Sequence, residues 1–333
     1  MYKRALKKLL FGTTSSQEYL CMGFESLSKK FNVTLSFQRS ASPEDVTASH
    51  FFLGYKPLVI GIPIKKDNPC HETFIAENNV CMSFCLNTFK GDAIKKGFVT
   101  DKKNTARLFL KKIGTKDLGD TSFFILKGTK GIHYFLSLFH QFTNQLLEKF
   151  KKKSSGNVGL PGNLYEQIRI AYSIPRIISI ISLGKDNLFN LFPTDLHGAV
   201  NDNFYVSSLR HEGKACKQVE EIKKITISNV SIDAFREAYE MGKNHTQDLK
   251  TIENFETSLI RSEKLNHPLN AKTLSYREVE LIDSFDAGIH RLLFYKTINH
   301  KMLSDESDTL SHIHQYYYTW RNNKGIKTEI AIR

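Results

Sequence analysis

Between Ile177 and Val230 the chain repeats one pattern: a short β-branched or aromatic run, then a polar turn. The runs are Ile177–Leu183 (IISIISL), Leu188–Phe192 (LFNLF), Phe204–Arg210 (FYVSSLR) and Ile225–Val230 (ITISNV). Such runs, bounded by Gly, Asn, Asp and Pro, are strands. Gly184–Asn187 is turn chemistry that folds the first two into a hairpin. Pro193 lacks a backbone donor and is expected to end that pairing. A short helix is expected over Ala215–Lys224 and another over Ser231–Met241, with Gly242 closing it. Two long strands follow, near Leu274–Ile282 and Gly288–Asn299. Strands in meander order with few helices predict a small antiparallel barrel.

The first half carries further strand-like runs at Val33–Phe37, His50–Leu53, Pro57–Ile64, Val80–Cys85, Ala106–Leu110 and Ser122–Leu126. One helix stands out, from about Ile132 to Phe150. Its apolar residues Phe135, Leu138, Phe139, Phe142 and Leu146 fall on one stripe. The expectation is a core-facing stripe, with a dimer face as the alternative. KKKSSGNVGLPG at 151–162 reads as a linker. It divides the chain into an N-terminal α+β domain (1–155) and a second domain (163–333), which Leu164–Ser173 enters as an amphipathic segment. Leu58–Cys85 has a faint likeness to Phe204–Val230, as a degenerate second barrel would. The Gly-Ile-His repeated at 131–133 and 288–290 sits in different contexts and reads as coincidence.

Composition narrows the function classes. With 41% hydrophobic and 24% charged residues over 333 positions, the chain can bury real cores. No apolar run is long enough to span a bilayer, and the basic start, MYKRALKKLLFG, lacks the apolar length and cleavage site of a secretion signal. Five cysteines without framework spacing (Cys21, Cys70, Cys81, Cys85 and Cys216) fit reduced thiols and a cytoplasmic location. Cys81 and Cys85, and separately His312 and His314, share strand faces, but no fuller ligand set accompanies either pair, so no metal site is expected. The net charge of +13 is spread through the chain in pairs and short runs, without a nucleic-acid-binding motif. A generally basic surface that draws anionic small molecules fits better than a nucleic-acid partner.

The stretch Asn190–Cys216 gathers the inventory of a phosphate site: hydroxyls at Thr194, Ser207 and Ser208, with Arg210 and Lys214 beyond them. Ser208 and Arg210 share a strand face by the period-two rule. Lys214 lies just before a helix N-terminus, which itself favours anions. On pattern alone an ordinary hairpin with polar turns accounts for the segment equally well.

NLFPTDLHG, the strand with SSLR, the GKAC turn and ITISNV together resemble the flavin reductase-like, FMN-binding split-barrel family. So does AGIHRLLFYKTI at 287–298, and the resemblance covers roughly 172–300. It implies a mainly β fold with an α+β extension: an antiparallel Greek-key split barrel, preceded by the smaller α+β domain. It also implies a homodimer with FMN near the subunit interface and NAD(P)H as a transient co-substrate. By position, Asn190, Pro193, Thr194, Asp195 and Leu196 would lie along the flavin edge, with Ser207, Ser208 and Arg210 toward the ring or ribityl chain. Lys214 and Cys216 would lie by the phosphate, and His290 near the open side. The sequence departs from the pattern at two of these positions. Asp195 stands where a small hydroxyl residue is usual, and Cys216 where a Thr would bond the phosphate. These departures keep a second reading open, in which the barrel is a non-catalytic flavin-binding or flavin-less interaction module. With no Gly-rich dinucleotide fingerprint, a nicotinamide would bind only over the flavin face.

Overall fold

The computed structural model describes residues 2–13, 18–24, 31–37, 42–86, 104–150, 158–305 and 308–325. The 151–157 part of the expected linker lies outside them. The chain opens with α1 (Tyr2–Phe11) and β1 (Tyr19–Gly23). A first strand set follows: β2 (Phe31–Phe37), β3 (Glu44–Asp45), β4 (Phe51–Tyr55), β5 (Leu58–Lys65), α2 (His71–Ala76), β6 (Asn79–Leu86), β7 (Asn104–Leu118) and β8 (Thr121–His133). Next come α3 (Leu138–Phe150), α4 (Asn163–Ala171) and β9 (Arg176–Ile177). The second set is β10 (Ser179–Lys185), β11 (Leu188–Thr194), β12 (His197–Ala199), β13 (Phe204–Arg210), α5 (Lys214–Ile222) and β14 (Lys224–Val230). After α6 (Phe235–Glu240) and a small hairpin of β15 (Leu259–Arg261) and β16 (Pro268–Asn270), β17 (Thr273–Ala287) and β18 (His290–Met302) complete it. The described chain closes with β19 (Leu310–His314) and α7 (Gln315–Asn323).

The two sets have the same design. The strand orders are β3-β2-β6-β7-β8-β5-β4 and β11-β10-β14-β17-β18-β13-β12, each seven-stranded and corresponding place by place. In each, a helix joins the fourth strand of the set to the fifth, as β5–α2–β6 and β13–α5–β14. Each also contains a long hairpin of a 15- and a 13-residue strand. Both hairpins turn through two residues headed by a glycine at positive φ: Gly119 (φ 70°) and Gly288 (φ 68°). The expected α+β character of the first half therefore gives way to a second sheet of the same order. Leu58–Cys85 and Phe204–Val230 hold equivalent places in the two orders, whereas the two Gly-Ile-His segments lie at opposite ends of equivalent strands.

Period-two alternation explains how the halves meet. On β8, Phe124 and Leu126 enter the first core while Phe123 and Ile125 face the other way. On β18, Leu293 and Tyr295 enter the second core while Leu292 and Phe294 face outward. The outward residues pack on one another, with Phe123 and Phe294 edge-to-face at 5.5 Å. Each such side chain contributes about 1.5–3 kcal/mol by leaving water. β1, β19 and β9 form a small antiparallel sheet that ties the start of the chain to its end. No helix among the described residues is long and apolar enough to cross a membrane.

Two expectations are corrected. Pro193 does not end the hairpin: β11 runs through it, with Ile180 opposite Pro193 and Ser179 opposite Thr194. β11 is an edge strand, so the missing N–H falls where no ladder partner is needed. The helical stripe is not core-facing. Residues 121–133 are strand, α3 begins only at Leu138, and of the five stripe residues Phe135 alone is buried.

Where the halves touch, the Gly288 turn lies under the β4–β5 turn, and Ile289 N donates to Lys56 O at 3.1 Å. A Cβ on Gly288 would stand 2.2 Å from Lys56 O and 2.3 Å from Pro57 Cδ. Gly288→Ala is expected to cost at least about 2 kcal/mol, from the positive φ and a backbone clash that rotamer changes cannot relieve. Gly242→Ala, with nothing within 4 Å, is the control and should leave the urea midpoint unchanged.

Candidate functional site

The β11–β12 loop is shaped by Thr194, whose hydroxyl accepts from Leu196 N at 3.2 Å. Leu196 O in turn accepts from Ser208 N at 2.8 Å. Asp195 is thereby held against two elements remote in sequence. Its Oδ2 accepts from Tyr172 Oη at 2.6 Å, just past α4, and from His312 Nε2 at 2.8 Å, on β19. Tyr19 of β1 closes the group, its ring 4.9 Å from Tyr172 and 5.3 Å from His312. Burial alone would push the Asp195 carboxyl up, but His312 and the Tyr172 hydroxyl outweigh it and hold it at about 2. Burial first, and the same carboxylate after it, drive the Tyr172 phenol well above its ordinary range.

A second group comes from both halves. Arg210, at the end of β13, donates from Nε to the Tyr55 hydroxyl at 2.8 Å, across the junction. The Tyr55 ring stands edge-on over His290 at 4.5 Å. His290 is 1% exposed, and its Nδ1 lies 3.3 Å from Ser208 Oγ. Burial first, and Arg210 after it, bring its pKa down to about 4. Its Nε2 has no hydrogen-bond partner among the described residues.

The two groups border one cleft of about 740 Å³, lined by Tyr19, Tyr55, Lys56, Tyr172, Asp195, Arg210 and His312. Phe142, Leu146 and Glu148 of α3, Tyr165 of α4, Glu18 and the 158–162 segment also line it. That volume suits a drug- or cofactor-sized ligand. Four tyrosines, from β1, β4 and α4 with its end, supply apolar faces with polar tips; Arg210 and Lys56 supply positive charge, and Glu18, Glu148 and Asp195 negative charge.

Of the residues picked out from sequence, Asp195 and Arg210 line the cleft, while Thr194, Leu196, Ser208 and His290 support it from behind. The other five lie elsewhere. Asn190 is buried, donating to Gln218 Oε1 at 2.8 Å and Asn244 O at 3.1 Å. Pro193 O accepts from His245 at 2.7 Å. Ser207 points to the opposite face of β13, 2.9 Å from the Tyr295 hydroxyl. Cys216 is fully buried in the second core, where burial pushes its thiol up to about 12. Lys214 is exposed and pairs with Asp248 at 2.7 Å. Sequence reasoning missed Tyr19, Tyr55 and Tyr172, which read as ordinary aromatic positions. His312 and His314 take separate partners: His314 Nδ1 accepts from Tyr316 N at 3.2 Å. Among the described residues no three His, Cys, Asp or Glu side chains cluster as a metal site.

No sequence-family model and no curated protein sequence matches this chain. Several solved structures are similar to part of it. BorF, the flavin reductase component of a bacterial two-component tryptophan halogenase, matches 44% of this chain and 91% of its own at 15% identity and a TM-score of 0.39. The Streptomyces globisporus NADH:FAD oxidoreductase SgcE6 matches 47% and 94% at 11% identity and 0.41. An FMN-binding protein from Thermus thermophilus matches 46% and 82% at 11% identity and 0.37. Each of these matches spans less than half of the chain.

Proposed function

We propose that the chain binds FMN in the cleft between its two sheets and acts as an NAD(P)H-dependent, flavin reductase-like oxidoreductase. One observation carries the reading: a cofactor-sized cleft, built from both halves of a single chain, that joins tyrosine faces to two cations, Lys56 and Arg210, with the carboxylates Glu18, Glu148 and Asp195 also on its walls. The residues fit the group. Arg210 and Lys56 would hold the phosphate, and Tyr55 and Tyr172 would pack against the ring. Asp195 Oδ1, which has no partner among the described residues, is an acceptor suited to the ring's imide N–H. Bound flavin would supply the redox chemistry, taking a hydride from the nicotinamide, while the chain contributes binding, orientation and charge. The first strand set would serve as a built-in partner for the second, in place of another subunit.

A second reading, a non-catalytic interaction module, draws on Cys216 and Lys214. The phosphate positions implied by the resemblance are a core thiol and a paired surface lysine. Titration of FMN into the purified protein, followed by flavin fluorescence, separates the readings. Wild type is expected to bind at micromolar or tighter. Arg210→Ala should weaken binding about tenfold or more, the loss of one charge-assisted contact. Lys214→Ala should leave it unchanged. Absence of binding at millimolar FMN sinks the oxidoreductase reading in favour of the interaction module.

A further inference from the structure

Asp195 is fixed in the cleft wall from three sides. The hydrogen bonds linking Thr194, Leu196 and Ser208 hold its backbone, and the end of α4 and strand β19 supply its side-chain partners. Both partners take the same oxygen. Tyr172 Oη donates to Oδ2 at 2.6 Å, and His312 Nε2 lies 2.8 Å from it. Oδ1 has no partner among the described residues, and the side chain is 19% exposed where it lines the cleft. A carboxylate held by one oxygen and open at the other offers an occupant of the cleft both an acceptor and a negative charge.

That charge persists at neutral pH. Burial works against it, but His312 and the Tyr172 hydroxyl outweigh burial and keep the carboxyl ionised. Its field reaches the tyrosines around it: after burial it raises the Tyr172 phenol, and it raises Tyr55 against the opposing pull of Arg210. The neighbouring guanidinium groups are directed at other acceptors. Arg176 donates to Ala171 O at 2.8 and 2.6 Å, and Arg210 donates to the Tyr55 hydroxyl at 2.8 Å. In the flavin reading, Arg210 and Lys56 also face a phosphate, which carries about two negative charges of its own. The ring is then left beside Asp195.

Resting on that reading, we infer that Asp195 sets the redox balance of the cleft, so that the protein holds oxidised flavin more tightly than reduced flavin. The oxidised ring is neutral. A hydride from the nicotinamide brings it two electrons and one proton, so the ring gains one negative charge while the nicotinamide becomes a cation. The imide N–H that Oδ1 would accept is present in both states, so that hydrogen bond does not discriminate between them. The fixed charge does: it opposes the new anion and leaves the neutral ring undisturbed. Weaker binding of the reduced form and a lower two-electron potential are then one effect, related by linkage.

FMN affinity in both oxidation states tests it. Oxidised FMN is titrated by fluorescence, and the midpoint potential of the bound flavin is measured anaerobically against a reference dye. Wild type should hold oxidised FMN at least about tenfold more tightly than reduced, which places the bound potential about 30 mV or more below that of free FMN. Asp195→Asn keeps the volume and an acceptor but loses the charge. It should narrow the ratio about tenfold and raise the potential by about 30 mV. Tyr172→Phe should move the potential the other way, because the carboxylate keeps its charge and loses a donor that disperses it. The second variant decides if the first does not fold, and far-UV circular dichroism checks both. Equal wild-type affinity for the two states, an unchanged potential in Asp195→Asn or a raised one in Tyr172→Phe overturns the inference and leaves the flavin reading standing. Failure to bind oxidised FMN at millimolar concentration ends both.

Discussion

Glu166→Ala is expected to remove about 3–5 kcal/mol, which is a third or more of the stability of an ordinary domain. Glu166 is 3% exposed on α4. Its Oε2 lies 2.5 Å from His133 Nε2 and 3.2 Å from Arg169 Nη1, and its Oε1 accepts from Gln145 at 2.9 Å. Burial would raise its carboxyl, but His133 and Arg169 overcome that and hold it at about 2. Arg169 is 1% exposed, its guanidinium 3.7 Å from the centre of the Tyr165 ring and 4.3 Å from that of Tyr316. Among the described residues its Nε and Nη2 have no hydrogen-bond partner, and Glu166 is the carboxylate it contacts. Removing that anion leaves a buried charge without compensation, and this loss, more than the lost bonds, sets the size of the effect. Removing both charges tests the cause: Glu166→Gln with Arg169→Met should cost less than Glu166→Gln alone. Urea unfolding of the three variants decides, and a double variant worse than the single one would refute the buried-charge account. Glu221→Ala, at an exposed pair with Lys185, should leave the urea midpoint in place.

The strand runs were legible where β-branched residues are dense. Pro57–Ile64, Val80–Cys85 and Phe204–Arg210 all fall on strands within a residue or two of the expected bounds. The long hairpins were read too short. The ends of β7, β17 and β18 leave the core, and there Lys111, Lys116, Asp286 and Lys301 occupy strand positions that look like loop in sequence. Lys116, for instance, pairs with Asp283 on the other hairpin, a contact between residues far apart in the chain. The stripe on α3 gave the helix but not its direction, because a period of 3.6 marks an apolar face without saying what meets it.

The cleft was legible only in part, for a related reason. Asp195 and Arg210 sit in a segment whose chemistry is dense enough to notice. Their partners Tyr19, Tyr55, Tyr172 and His312 arrive from β1, the end of β4, the end of α4 and β19. No local spacing links them. They meet because β1 and β19 pair, with Cys21 opposite His312, and because the two sheets press their outward faces together. Lys214 and Cys216 illustrate the converse. Residue type suggested a phosphate site, and the register of α5 gave one to solvent and Asp248 and the other to the core.

Acid is expected to unfold this protein at a pH where most soluble domains are still stable, and five histidines set the point. Burial, first among the causes, lowers His50 to about 3 and His197, His267, His290 and His314 to about 4. Their neighbours fit the neutral ring: His314 Nδ1 accepts a backbone N–H, and among the described residues His50 Nε2 and His290 Nε2 have no hydrogen-bond partner. In the unfolded chain each would titrate near 6.5. Between about pH 4 and 6.5 the unfolded state therefore holds more protons than the folded one, so stability rises with pH across this window and falls as pH drops through it. One such site changes stability by about 1 kcal/mol between pH 6.5 and 5.5, and five together by about 5 kcal/mol. Asp195 and Glu166, both held at about 2, act with the same sign further down, below pH 4. Melting temperature should thus be flat above about pH 7.5 and fall steeply below about pH 6.5, with unfolding near pH 5. Because the cause is burial rather than exposed charge pairs, added salt should barely move the curve. His50→Gln should flatten the slope by about one proton. Equal stability at pH 7.5 and pH 5 would mean that these rings are hydrated and charged in the folded protein.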